Sequence, residues 1–482
     1  MAGLLKEDGY RMVREPDGAD FVVVNTCGFL GDARSESHAV IQEMLDLKRR
    51  GRLRGIIVAG CMAERDKDQL LAQYPGVDQV VGVFARDDIV TAARRILQRE
   101  VARPETERNI QPGQNAPSVA GHTSIPILSH DGPVQGSPPI HPSNDPTIHP
   151  SDDGRMLFRR PPAKPLADTH RLRITPRHLA FLKIAEGCNR QCSFCSIPSM
   201  RGPYASKPIE DVVAEAQELA EDGARELVLV AQDTTFYGID LDGRPHLADL
   251  LARLDDVPGL AWIRLMYLYP MHVTGELLDV LSSARKVLPY LDLPLQHAND
   301  VVLRRMRRRV TREETEALLD RLRERIDRLV LRTTLIAGFP GETEEQFEEL
   351  VEFVQRRRFE RLGAFAYSEE PGTPAAELDS PLPYDIKESR RDRLLAVQQP
   401  IAFAWNESQV GRTLDVIIDR DIPGQRNAYL GRSYADAPEV DGAVYVTGQK
   451  LKPGQIVACE MVAAQGYDLV GVAVRPSPVS SR

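Results

Sequence analysis

No run of about 18 apolar residues interrupts this chain of 482 residues, so no membrane-spanning helix is expected. The first residues, Met1-Ala2-Gly3-Leu4-Leu5-Lys6, lack the basic-then-apolar pattern of a secretion signal. A cytoplasmic location is the resulting expectation. Aromatic residues make up 6% of the chain and only two are tryptophan, and they form no cluster that reads as a platform for stacked bases. Excess positive charge is also missing. Lys and Arg total 61 against 70 Asp and Glu, a net charge of -9, which argues against a nucleic-acid binder held mainly by phosphates. It suits a basic protein partner. Cysteines number six, and in a reducing compartment so few in so long a chain read as metal ligands or core residues before disulfides.

What is present divides into segments, as the length requires of a chain too long for one core. Residues 1–103 read as α/β. Phe21 to Val24 and Gly55 to Ala59 are short runs rich in Val and Ile, and Ser35 to Arg50 between them is helical in pattern, a βαβ unit. Cys27 follows the first strand and Cys61 the second, at the sheet edge where ligands usually bind. The competing reading of both is a small buried hydrophobe.

Thirteen prolines and four histidines then crowd residues 104–165, and Ile140-His141-Pro142-Ser143-Asn144-Asp145 nearly recurs as Ile148-His149-Pro150-Ser151-Asp152-Asp153. This predicts a disordered Pro/His-rich linker over 104–170 rather than a metal-binding tract. Six strand runs alternate with helices over 171–404 (180–185, 226–231, 262–268, 290–293, 331–336 and 363–367), which predicts a parallel sheet curling into a full or partial (β/α) barrel. Thr311 with Glu314 and Thr343 with Gln346 read as capping boxes. Residues 405–476 alternate in short glycine-punctuated steps, as a small antiparallel β-barrel does. Cys459 falls within it and reads as core.

The chemistry centres on Glu186-Gly187-Cys188-Asn189-Arg190-Gln191-Cys192-Ser193-Phe194-Cys195, just after the first barrel strand. Three thiolates on one loop can bind three irons of a 4Fe–4S cluster and leave the fourth open to a small molecule. A zinc site is the alternative, but zinc favours four ligands in paired C-x-x-C spacing and no matching pair follows. Three unrelated core cysteines are the other alternative. Arg304, Arg305, Arg307, Arg308, Arg309 and Arg312 form a basic run whose default reading is a solvated helix face, with an RNA contact as the sharper option.

C-x-x-x-C-x-x-C at this place resembles the signature of the radical S-adenosylmethionine (SAM) superfamily, and Ile336-Ala337-Gly338-Phe339-Pro340-Gly341-Glu342-Thr343 is similar to that family's late-strand motif. The resemblance implies that Cys188, Cys192 and Cys195 hold the catalytic cluster and that Gly338, Gly341 and Glu342 lie at the SAM adenine. Asn25-Thr26-Cys27-Gly28-Phe29 and Ala59-Gly60-Cys61 resemble the N-terminal domain of the methylthiotransferases, and residues 407–474 the TRAM domain that ends them. Ala231-Gln232-Asp233-Thr234-Thr235, Tyr290 to Ala298 and Gly431 to Pro438 look like one branch, which adds a methylthio group to the β-carbon of an aspartate in ribosomal protein S-twelve, free or in the small subunit.

The alternatives are the related tRNA adenosine methylthiotransferase and a non-catalytic iron–sulfur or RNA-binding relative. Nine acidic residues against six basic ones over 407–474 favour a protein substrate. The family implies SAM, two 4Fe–4S clusters and a one-electron donor such as flavodoxin or ferredoxin. Cys27 and Cys61 match two of the three ligands of its second cluster. The third, which the family places after an earlier strand, has no match here. The expectation is a chain that starts inside the following helix, cleaves SAM and transfers sulfur poorly.

Overall fold

The computed structural model describes residues 1–29, 31–101, 127–129, 154–162, 165, 168 and 171–474. They form two compact units.

The first unit comprises residues 1–172 with two short returns of the chain, 195–203 and 368–372. Its strands are β1 (Arg11–Val13), β2 (Phe21–Thr26), β3 (Gly55–Gly60), β4 (Gln79–Val81), β5 (Ile127–Ser129) and β6 (Met156–Leu157). They lie in the order β1-β5-β2-β3-β4-β6. β2, β3, β4 and β6 run parallel, while β5 pairs antiparallel with β1 and β2. Val22, Val24, Ile56 and Val58 meet one apolar layer, and Phe21, Val23, Ile57 and Ala59 meet the other. Both faces are covered, so the strands read as unbroken apolar runs. The helix Gly31–Arg49 joins β2 to β3, completing the expected βαβ unit.

The expected linker is shorter at its carboxyl side than the sequence implied. β6 pairs with β4, and Met156, Leu157 and Phe158 are buried. Three apolar residues in a polar tract are too short a run for periodicity to reveal. β5 also falls within 104–170, and the rest of that segment, apart from 154–162, 165 and 168, lies outside the described residues.

The second unit holds β7 (Leu179–Lys183), β8 (Ala185–Glu186), β9 (Ala205–Ser206), β10 (Glu226–Val230), β11 (Trp262–Leu265), β12 (Val287–Asp292), β13 (Val330–Ala337) and β14 (Arg361–Ala366). Six of these build an open parallel sheet, β14-β13-β12-β11-β10-β7, the partial barrel expected. Helices Ile209–Glu221, Leu247–Asp255, Gly275–Ser283, Arg312–Arg325 and Glu344–Arg357 connect its strands. Both capping boxes form: the Thr311 and Thr343 hydroxyls accept from the N–H of Glu314 and Gln346, whose side chains reach back. The helix Tyr384–Glu407 then leads to a closed barrel of β15 (Thr413–Asp421), β16 (Ala428–Ser433), β17 (Val444–Thr447), β18 (Ile456–Gln465) and β19 (Asp468–Ala473). This barrel is not wholly antiparallel, because β17 and β19 run parallel.

The closed barrel seats on the inner face of the open sheet. Leu179, Val228, Trp262, Leu288, Tyr290 and Val330 pack with Leu414, Val416, Ile417 and Val444. Buried charges accompany them. Glu226 accepts from Arg264 Nε at 2.8 Å and Arg432 Nη1 at 2.6 Å, and Arg432 holds Asp419 with two further bonds of 2.9 Å. His178 Nε2 lies 2.8 Å from Asp419, and Arg361 donates to Asp436 at 2.7 Å. Burial alone would raise Glu226, yet the two guanidiniums hold it below the ordinary carboxylate range. This seam explains the acidic excess over 407–474. Asp419, Asp436, Asp441, Asp468 and Arg432 are not exposed, and the exposed remainder is five acidic residues against five basic. The charge count therefore describes an internal seam and not a face for the partner.

Candidate functional site

Parallel strands deliver their carboxyl ends to one edge, and the chain turns there into the loops that carry the cysteines. None of the six cysteines is in a disulfide among the described residues. Cys188 and Cys192 lie on the loop that follows β8, and Cys195 comes three residues later, ahead of the helix Ile197–Arg201. Burial pushes the Cys188 thiol up to about 11, against the pull of the Arg190 N–H, which lies 3.4 Å from its Sγ. Such a thiol ionises readily only with a cation to bind, as a metal ligand does.

The loop is pinned from several sides. Asn189 Oδ1 accepts from the Tyr204 N–H at 3.0 Å. Ser193 takes a bond from Ala375 and gives two, its N–H to Met306 O and its hydroxyl to Arg305 O. Arg190 runs inward, donates through Nε to Asp233 Oδ2 at 2.6 Å and lies over the rings of Phe236 (5.4 Å) and Tyr269 (4.1 Å). The guanidinium of Arg308 lies 4.1 Å from the same Tyr269 ring. Arg308 is buried and donates to Pro294 O, so one member of the basic run is part of the site's support. Arg304, Arg305, Arg307 and Arg309 are exposed as expected of a solvated face. The reading of the sequence missed Arg190, Asp233, Tyr269 and Arg308. Asp233 stood in a stretch already noted, but nothing periodic marks its pairing with a residue 43 positions away.

Gly338, Gly341 and Glu342 come together at the end of β13. Both glycines have positive φ, +75° and +72°, and side-chain atoms of Lys387 and Arg305 fill the space a Cβ would need. Glu342 is buried and turned inward. It accepts from the Gly338 N–H at 3.1 Å and from Arg390 Nη1 at 2.7 Å, and His297 Nε2 lies 3.3 Å away. Its carboxylate holds the turn, so any ligand there meets the backbone that Glu342 positions.

In the first unit the β2–β3 register pairs Thr26 with Gly60, so Cys27 and Cys61 leave the sheet at one level. A Cβ on Gly28 would lie 2.8 Å from the Cys61 carbonyl carbon and 2.9 Å from Met200 Sδ. Arg34 and Arg65 donate to the carbonyls of Phe29 and Gly28, and both pair with buried Glu370. The Cys27 loop is thus held by a residue more than 300 positions away.

Among the described residues no three His, Cys, Asp or Glu side chains converge on a single ion. A four-iron cluster places each thiolate on a different iron and does not require that convergence.

Residues 182–354 match the radical SAM superfamily, residues 410–474 the TRAM domain and residues 1–82 the uncharacterised protein family UPF0004. A ribosomal protein uS12 methylthiotransferase RimO from Lachnoclostridium phytofermentans is 40% identical over 474 residues, which span 98% of this chain and 96% of that protein. Another from Anaeromyxobacter sp. (strain K) is 40% identical over 478 residues, 99% of this chain and 90% of that protein. Among solved structures, the radical SAM methyltransferase TsrM from Kitasatospora setae is 19% identical with a TM-score of 0.47, covering 73% of this chain and 63% of that one. That likeness is too loose to carry function.

Proposed function

Because the chain belongs to the ribosomal protein uS12 methylthiotransferases, we propose that it adds a methylthio group to the β-carbon of an aspartate in ribosomal protein uS12. The observation that carries this reading is 40% identity to such an enzyme over nearly the full length of both chains, in a chain that has the three-cysteine loop. As a radical SAM enzyme it uses SAM and a 4Fe–4S cluster. Cys188, Cys192 and Cys195 would hold that cluster. Bound there with SAM, it supplies the one-electron cleavage that yields a species able to take hydrogen from an unactivated carbon, which no side chain can do.

The chain's own residues do the rest. Asn189 and Ser193 fix the loop through backbone bonds. Glu342 shapes the Gly338–Gly341 turn, so that backbone can approach SAM closely. On the inner face of the sheet, the half not covered by the closed barrel exposes Phe365 beside Gly363, and Tyr267 lies at the same end. We place the substrate aspartate there. Cys27 and Cys61 would hold a second cluster that carries the sulfur. A low-potential donor such as flavodoxin or ferredoxin would supply electrons in the cytoplasm. Among the described residues no helix is long and apolar enough to cross a membrane.

The test is mass spectrometry of uS12 after anaerobic incubation with the reconstituted protein, SAM, sulfide and reductant. A methylthio group gained on an aspartate of uS12, at the low yield expected with two matching second-cluster cysteines, supports the reading. Modification of tRNA adenosine with uS12 untouched would overturn the reading. Iron content in the Cys188→Ala/Cys192→Ala/Cys195→Ala variant tests the ligand set, and iron unchanged from the parent would refute it.

A further inference from the structure

Arg190 is the residue whose placement the activity leaves unexplained. It lies between two cysteines of the loop, yet its side chain is largely enclosed and tightly held. Nε is bonded to Asp233, Nη1 lies 3.5 Å from Met271 Sδ, and two aromatic rings flank the guanidinium plane. Asp233 is itself fixed by the Thr235 hydroxyl and the Phe236 N–H. After all this Nη2 remains buried with no hydrogen-bond partner among the described residues. An orphaned guanidinium N–H costs stability unless something accepts from it. A cluster on the adjacent cysteines offers sulfur acceptors and growing negative charge.

We propose that Arg190 is a positioning residue that sets the reduction potential of the cluster held by Cys188, Cys192 and Cys195, with Nη2 donating to that cluster and Asp233 tempering the charge. The inference rests on the ligand assignment under Proposed function. Reduction adds one electron to the cluster from an external donor, and no bond breaks and no proton moves. A fixed cation favours the more negative, reduced form, and a fixed anion opposes it. The two groups of the pair therefore act with opposite signs. His272 also faces this pair, held below its usual range by burial and by Arg190.

The experiment is an EPR-monitored redox titration with dithionite in a Cys27→Ala/Cys61→Ala background, so that one cluster titrates. Arg190→Gln removes the cation and should lower the midpoint, by about tenfold in the reduction equilibrium, or 59 mV for one electron. Asp233→Asn should raise it. Arg190→Lys keeps the charge but not the planar fork, and its midpoint should fall between parent and Arg190→Gln. A merely structural role would shift all three the same way or not at all, and either result overturns the inference. If Arg190→Gln fails to take up iron, the opposed shifts of the other two variants still decide. A parent background without iron would instead strike the ligand assignment itself.

Discussion

Replacing Arg432 by Met tests the buried seam between the open sheet and the closed barrel. Arg432 is 6% exposed and joins Glu226 and Asp419 through three bonds of 2.6–2.9 Å. Its loss leaves each carboxylate one partner, Arg264 for Glu226 and His178 for Asp419. Breaking a buried pair costs about 3–5 kcal/mol, and the retained partners place this case near the lower end. At roughly 2–4 °C per kcal/mol the melting temperature should fall by about 6–12 °C.

The pH dependence has a definite sign. Glu226 and Asp419 are both held below the ordinary carboxylate range despite burial, chiefly by Arg432 with Arg264 and by His178 with Arg432 respectively. Their contribution is therefore full above the unfolded carboxylate values and is lost as pH falls through the depressed folded ones. Removing Arg432 raises both folded values and shrinks that contribution. The gap between parent and variant should be widest near pH ~7 and should narrow toward pH ~4. Differential scanning calorimetry of the reconstituted protein at both pH values reads it. A gap under about 2 °C, or one equal at both values, would refute the electrostatic account of the seam.

Gly60→Ala should destabilise the first unit by about 3 kcal/mol or more, because the position has φ +102° and the new Cβ would lie 2.6 Å from Thr26 O. Chemical denaturation followed in the first unit should show it, and near-parent stability would contradict the geometry. Thr343→Ala removes a capping box and should cost about 1 kcal/mol by urea unfolding. No change would mean the box contributes nothing in this context. Burial pushes the Cys459 thiol up to about 12, so in the folded protein at pH ~8 it should resist iodoacetamide until denaturant is added. Peptide mapping that finds rapid native alkylation there would rule out the buried position.

Much of this was legible in the sequence because apolar periodicity and cysteine spacing are local signals. The strands at Phe21, Gly55, Glu226 and Val330, both capping boxes and the three-cysteine loop all announce themselves within a dozen residues. What stayed hidden depends on distant partners. Arg308 sits in a run that looks solvated, and only the fold brings it over Tyr269. Glu370 reaches Arg34 and Arg65 across more than 300 residues. The acidic count of the closed barrel was correct as arithmetic but misleading as a surface, since a sum over residues cannot tell which charges are buried. β6 was hidden by its length, and the parallel pairing of β17 with β19 follows from barrel closure, not from alternation along either strand.

The closed barrel seated inside the open sheet acts as a depth stop. Along β13, Val330 is buried against it, while Arg332, Thr334 and Ile336 are each partly open. From Arg332 to Ile336 the strand rises only about 13 Å. A helix lying sideways is about 10–12 Å across and would nearly fill that height before any side chain could point down. A side chain standing on a narrow bend enters easily. With the substrate aspartate placed as under Proposed function, that shallow floor would favour an aspartate on a protruding turn over the same residue on a flat face.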